Sequence, residues 1–126
     1  MVKIALASEE KRGLDSRLSY HFGRCPYYVF VDVEDGRIKN VEVKKNPYFG
    51  SHVPGAVPQF IADEGANVII AGGMGLRALD QFRKLNIQPI TGVAGKLRDI
   101  LHDFLAGKLK QAAEPCSELG EVEYGI

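Results

Sequence analysis

The chain has 126 residues, the length of a single domain with one hydrophobic core. Lys and Arg number 16, and Asp and Glu also number 16, so the formal net charge is zero. Because proteins held mainly by nucleic-acid phosphates or by anionic lipid need a cationic surface, this balance argues against both kinds of partner. Glycine is frequent, at 14 residues, which predicts several tight turns.

The cysteine content and the N-terminus point to one cellular compartment. Cys25 and Cys116 are the two cysteines; two cannot form a disulfide framework, and neither belongs to a C-x-x-C pair. We therefore expect reduced thiols. The apolar stretch at the N-terminus is too short for a signal peptide, and no apolar run reaches the ~18 residues of a membrane span. These features predict a cytoplasmic protein that does not bind a membrane.

The first half of the chain predicts three strands. The apolar run at residues 2–7 predicts a short buried strand, and residues 27–34 are rich in aromatic and β-branched side chains. Asp35 and Gly36 form a favoured hairpin turn, which leads into a third strand at residues 37–45. The lysines of that strand suit an exposed sheet edge.

The second half alternates helices with buried strands. We expect a helix over residues 55–64, which Gly65 ends, a strand at 67–71, and a helix over 76–85 with Leu76, Leu79 and Phe82 facing inward. A last strand at 87–91 precedes a helix whose apolar residues lie on one stripe, namely Leu97, Ile100, Leu101, Phe104 and Leu105. Residues 1–110 form the predicted domain, and residues 111–126 form a polar, acidic tail.

This order, β-β-β-α-β-α-β-α, predicts an α/β domain with a mixed five-stranded sheet and three helices. When chain direction is followed, strand 2 is antiparallel to the others, and four loops meet at one edge of the sheet. That edge includes the C-terminal ends of the parallel strands, where open α/β sheets bind their ligands.

Two of these loops contain side chains that can bind a metal or an anion. The first contains His21, Arg24 and Cys25, and the second contains Ser51 and His52. Imidazole and thiolate ligate iron–sulfur and other transition-metal species, so the two histidines and Cys25 are the candidate metal ligands. Arg24 and Ser51 are candidate contacts to the rest of a cofactor.

The other two loops are glycine turns that precede helices. Gly72, Gly73 and Gly75 follow the fourth strand, and Gly92 follows the fifth. Such turns expose backbone N–H groups at helix N-termini, which favour anions. Together with the side chains above, they suit an anionic metal–sulfur cluster.

Each signal also has a simpler interpretation. Glycine turns between strand and helix are often only structural, loop histidines are often hydrogen-bonded surface residues, and Cys25 fits a small buried side chain. Arg24 equally fits an ion pair with Asp15 or Glu9. His102 and Cys116 fit a solvated side chain and a spectator thiol. A nucleophilic role for Cys25 beside His21 lacks a visible third group, and the chain has no G-x-S-x-G, H-E-x-x-H or Walker motif.

The sequence resembles the dinitrogenase iron–molybdenum cofactor biosynthesis family, the group that contains NifX, NafY and the C-terminal domain of NifB. The matching segments are VKIALAS (residues 2–8), LDS (14–16), SYHFGR (19–24), VIIAGGMG (68–75), RAL (77–79), TG (91–92) and FLAGKL (104–109). The resemblance implies a ribonuclease-H-like fold with the strand order 3-2-1-4-5. Nuclease activity is not expected, because the first and fourth strands lack the carboxylates of two-metal chemistry.

The resemblance also implies a carrier, not an enzyme, for the iron–molybdenum cofactor, its iron–sulfur precursor or a related cluster. It gives His21 a place in the His-Phe-Gly motif and assigns Gly72, Gly73 and Gly75 to the family's glycine turn. The partners it implies are the cluster and proteins that donate or accept it. A regulatory domain that binds an anionic metabolite at the same edge is the alternative.

Overall fold

The structure is a computed structural model that describes residues 1–51, 53 and 55–109. The predicted ligand His52, Cys116 and the predicted tail lie outside the described residues. Across the part of the chain that is described, no helix combines the length and the apolar character needed to cross a membrane.

A five-stranded sheet forms the centre of the domain, in the order β3-β2-β1-β4-β5. The strands are β1 (Val2–Ser8), β2 (Tyr27–Glu34), β3 (Arg37–Lys45), β4 (Val68–Ile70) and β5 (Gln88–Ile90). Strand β2 pairs antiparallel with β1 and β3, whereas β1, β4 and β5 are parallel neighbours. The predicted mixed sheet and its strand order are confirmed.

Three α-helices connect or follow the strands, as predicted: α1 (Ala56–Asp63), α2 (Leu76–Lys84) and α3 (Leu97–Leu105). Gly65 follows α1 with a φ of +85°, a conformation that side chains other than glycine rarely adopt. A short 3-10 helix at Gly13–Asp15 was not predicted, because three residues are too few to show a periodic pattern.

Each face of the sheet has its own hydrophobic core. One core joins Ala5, Tyr28, Phe30 and Ile69 of the sheet to buried side chains of α1 and α2. The other core joins Ile4, Leu6, Val29, Val31 and Ile70 to Leu97, Ile100 and Leu101 of α3. Neighbouring residues of β1 and β2 point to opposite faces, and both faces are covered. This explains why residues 4–7 of β1 and 28–31 of β2 are apolar in succession.

Helix α2 departs from the prediction at its first residue. Leu79 and Phe82 are fully buried, as expected, but Leu76 is 66% exposed. Leu76 begins the helix, and its neighbours Gly75 and Arg77 are exposed as well. The first turn of α2 therefore lies at the edge of the sheet and outside the core.

The same substitution at two positions of α2 tests this assignment. Leu79→Ala removes a fully buried side chain and is expected to lower the free energy of unfolding by about 2–5 kcal/mol. Leu76→Ala is expected to change it by less than about 0.5 kcal/mol. Urea denaturation followed by circular dichroism measures both values, and equal losses would contradict the placement of α2.

Candidate functional site

A cavity of about 760 Å³ opens at the predicted edge of the sheet. Three chain segments frame it: the loop between β1 and β2, the loop between β3 and α1 with the first turn of α1, and the turn from β4 with the following helix α2. The described residues that line it are 20–24, 48–51, 53, 55, 57, 58, 73–75, 77, 78 and 81. Three of the four predicted loops therefore meet around one cavity.

The first loop runs directly alongside the glycine turn. The N–H of Gly72 donates to the carbonyl of Ser19 (2.9 Å), and the N–H of Gly73 donates to the carbonyl of Tyr20 (2.6 Å). His21 and Gly73 form an isolated parallel β-bridge. These contacts place His21 at the cavity, where its side chain is exposed.

Gly72 is required by this close approach. A Cβ atom added to Gly72 would lie 2.7 Å from the Cα of Tyr20, a distance that such atoms essentially never show. Glycine is therefore needed at position 72 so that one backbone can pack against another. This is the structural interpretation of the turn, as opposed to its interpretation as an anion site. The N–H groups of Gly72 and Gly73 are already hydrogen-bonded, so they are not free to bind an anion.

The fourth loop does not reach the cavity. The N–H of Gly92 donates to the carbonyl of Gly72 (3.0 Å), and the carbonyl of Gly95 accepts from the N–H of Leu18 (2.8 Å). This loop leads into α3, which packs on the opposite face of the sheet from α1 and α2. The prediction that Gly92 contributes to the site is not supported, because strand direction alone does not say which face a loop turns toward.

The N-terminus of α2 does reach the cavity. Gly75 caps the helix with an extended conformation, and no side chain caps the first turn. Gly75, Arg77 and Ala78 line the cavity. The unpaired N–H groups of a first helical turn, and the helix dipole, favour a negative charge at this position.

The charged side chains that line the cavity are all basic. Arg24 and Arg77 are exposed at its wall, and among the described lining residues there is neither Asp nor Glu. A chain with zero net charge therefore presents a local positive site. Asp15, one of the alternative partners considered for Arg24, pairs instead with Arg98 at 3.2 Å.

Arg77 was not identified as a site residue from the sequence. The sequence feature that could have indicated it is its place in the first turn of α2, where a cation is unfavourable with respect to the helix dipole. The structure shows that Arg77 lines the cavity.

Apolar side chains complete the wall, and these were also missed. Tyr48, Phe49 and the nearly buried Met74 line the cavity together with Tyr20 and Phe22. The ring of Phe22 packs edge-on against Phe82, with centroids 5.0 Å apart, which anchors the first loop to the core. Loop aromatics show no periodic pattern in a sequence, so only the folded chain assigns them to a site.

Cys25 lies outside the cavity that His21 lines. It is 1% exposed, is not among the residues lining the cavity, and its thiol donates to the carbonyl of Phe22. Burial raises the pKa of the Cys25 thiol to about 11. Because the thiolate is the form that ligates metals and attacks substrates, this placement suits neither a metal ligand nor a nucleophile.

The two predicted ligands that the structure describes, His21 and Cys25, do not assemble into a conventional metal site. Within residues 1–51, 53 and 55–109, no three or more His, Cys, Asp or Glu side chains come together in a way that could hold a metal ion. His21 and Arg24 both lie at the cavity, together with Ser51, whose N–H donates to the carbonyl of Tyr48 at 2.9 Å. Among the described residues, the cavity wall thus includes the imidazole of His21 and the guanidinium groups of Arg24 and Arg77.

The fold and this site define an α/β domain with a basic cavity at the carboxyl edge of its sheet. Residues 1–107 match the family model described as dinitrogenase iron-molybdenum cofactor, and the chain belongs to that family.

Three relatives illustrate the similarity. An uncharacterised protein of Methanocaldococcus jannaschii is 34% identical over 113 residues, which cover 88% of this chain and 92% of that protein. The crystal structure of PH0822 has a TM-score of 0.79 at 42% identity, covering 90% of this chain and 98% of the other. The apo form of the orange protein from Desulfovibrio gigas has a TM-score of 0.80 at 26% identity, covering 93% and 98%.

Two glycines of the same turn provide a matched test of the backbone contact. Gly72→Ala forces a methyl group against Tyr20 and is expected to lower the free energy of unfolding by about 1–3 kcal/mol. Gly75→Ala meets nothing within 4 Å at an ordinary φ, so it should lower this free energy less than Gly72→Ala does, by no more than about 1 kcal/mol for the poorer N-cap. Chemical denaturation gives both values; tolerance of alanine at Gly72 would contradict the contact.

The protection of Cys25 can be measured by alkylation. In a chain carrying Cys116→Ser, iodoacetamide at pH 8 is expected to modify Cys25 at least about tenfold more slowly in the folded protein than in urea, because the thiol is buried and stays protonated. Mass spectrometry follows the reaction. Equal rates in the two states would show that Cys25 is accessible.

Proposed function

We propose that this protein binds and carries an anionic metal–sulfur cluster in the cavity: the iron–molybdenum cofactor, its iron–sulfur precursor or a related cluster. The observation that supports this most directly is the wall of the cavity in a member of the iron–molybdenum cofactor family. Arg24, Arg77 and the N-terminus of α2 all favour negative charge, and no described lining residue opposes it.

In this proposal each type of side chain at the cavity has its own role. The imidazole of His21 supplies a nitrogen ligand to a metal atom. The guanidinium groups of Arg24 and Arg77 donate hydrogen bonds to sulfide or oxygen atoms at the cluster surface, and Ser51 donates at the rim. The aromatic rings of Phe22 and Phe49 exclude water from part of the cargo.

A carrier must also release its cargo, and the site suits release. The described lining residues supply the imidazole of His21 and charge-assisted hydrogen bonds but no thiolate, and such a set holds a cluster less firmly than several thiolates would. In this proposal the protein is not an enzyme, acts in the reducing cytoplasm, and exchanges the cluster with donor and acceptor proteins. The classification of the sheet as ribonuclease-H-like belongs to the same proposal.

Anaerobic reconstitution with iron, sulfide and molybdate tests this function. The wild-type protein is expected to retain visible absorption through gel filtration. His21→Ala, and the double substitution Arg24→Gln with Arg77→Gln, should each lower retention at least about tenfold, because each removes a ligand or charge-assisted hydrogen bonds. His102→Ala and Arg98→Gln are the matched controls, because both residues are exposed on α3, outside the cavity.

Two results would count against a cluster carrier. Absence of any retained cluster in the wild type across varied metals would contradict the proposal. Thermal stabilisation by phosphorylated or carboxylated compounds, without stabilisation by clusters, would instead support an anionic metabolite as the ligand of the same cavity.

A further inference from the structure

Asn46 is a buried polar residue between β3 and the loop that frames one side of the cavity. It is 1% exposed, although its neighbours Lys45 and Pro47 are exposed. A buried amide is costly unless its polar atoms are hydrogen-bonded. The partners of Asn46 therefore indicate what it does.

The Asn46 side chain connects two different loops. Its Nδ2 group donates to the carbonyl of Cys25 (2.8 Å) and to the carbonyl of Gly23 (3.3 Å). Its Oδ1 atom accepts from the N–H of Tyr48 (2.9 Å). The amide thus holds the loop that contains His21 and Arg24 with one end, and its own loop with the other.

The main chain of Asn46 strengthens the same connection. Its N–H donates to the carbonyl of Pro26 (2.9 Å), and its carbonyl accepts from the N–H of Phe49 (3.2 Å). Among the described residues, no hydrogen bond joins residues 47–51 to residues 20–26 directly. Between these two segments, the hydrogen-bonded connection passes through Asn46.

Few side chains could replace asparagine in this role. The site needs two donated hydrogen bonds and one accepted bond from a group one methylene away from the backbone. Aspartate has the same shape but would turn a carboxylate oxygen toward two carbonyl oxygens. Serine has one donor, and alanine has none.

We infer that Asn46 is a positioning residue that sets the spacing between the two loops and thereby the width of the cavity. The inference rests on the proposed function, since a fixed width matters only if a ligand bridges His21 and Arg24 on one side and residues 48–51 on the other. The amide itself does not line the cavity. Its effect on a ligand is exerted through the backbone of both loops.

Hydrogen–deuterium exchange of the protein without a ligand tests the connection. Asn46→Asp is the main variant because it keeps the size of the side chain and removes the two donors. Exchange of the amides in residues 20–26 and 46–51 is expected to rise together by about tenfold or more, with the central strands unchanged. Asn40→Asp is the matched control, since Asn40 is exposed on the same strand β3.

Cluster retention gives a second readout, and its coupling to His21 separates a positioning role from a general loss of stability. Asn46→Asp should lower cluster retention about tenfold, and Asn46→Ala should lower it by the same factor or less. The retention of Asn46→Ser should lie between those of the wild type and Asn46→Ala. The losses from Asn46→Asp and His21→Ala should be less than multiplicative when combined, because both disturb the same contact. The losses from Asn40→Asp and His21→Ala should simply multiply.

Three results would overturn the inference: exchange that rises in only one loop, exchange that rises throughout the chain, or wild-type cluster retention in Asn46→Asp. If Asn46→Asp does not fold, Asn46→Ser replaces it in both measurements. If the wild type retains no cluster, the proposed function fails, while the exchange result still decides whether Asn46 connects the two loops.

Discussion

The close approach of residues 19–21 to the glycine turn after β4 is the constraint on which the site depends. Two backbone hydrogen bonds, from Gly72 to Ser19 and from Gly73 to Tyr20, and an isolated β-bridge between His21 and Gly73 fix this long loop against the glycine turn. The contact is possible only because Gly72 has no Cβ atom. It places His21 beside the N-terminus of α2, and the cavity forms between them.

Positive charge is concentrated at the cavity, although the chain has no net charge. The whole chain is neutral, yet the described cavity wall contains Arg24 and Arg77 and no carboxylate. In addition, α2 begins there, so the positive end of its helix dipole lies at the same wall as the two arginines. In the proposed function, a basic cavity on a chain without net charge favours a compact anion there, without the general attraction to nucleic acid or lipid that a cationic protein has.

Prediction from the sequence succeeded where burial produces a pattern and failed where loops interact. The strands of the sheet were found because Ile4, Leu6, Val29 and Val31 lie in continuous apolar runs that two cores bury. Leu76 was misplaced because periodicity does not show where the first helical turn leaves the core. Tyr48 was missed because its role depends on a neighbouring loop that is distant in sequence.

The sequence by itself determined the element order, the direction of each strand, the edge at which the loops meet and the family, since these follow from local patterns and motifs. Only the tertiary structure decided which groups face the cavity. In the folded chain the N–H groups of Gly72 and Gly92 are hydrogen-bonded to backbone carbonyls, Cys25 is buried, and Arg77 lies at the cavity wall. Those outcomes depend on contacts between segments far apart in the chain, and a local pattern contains no record of such contacts.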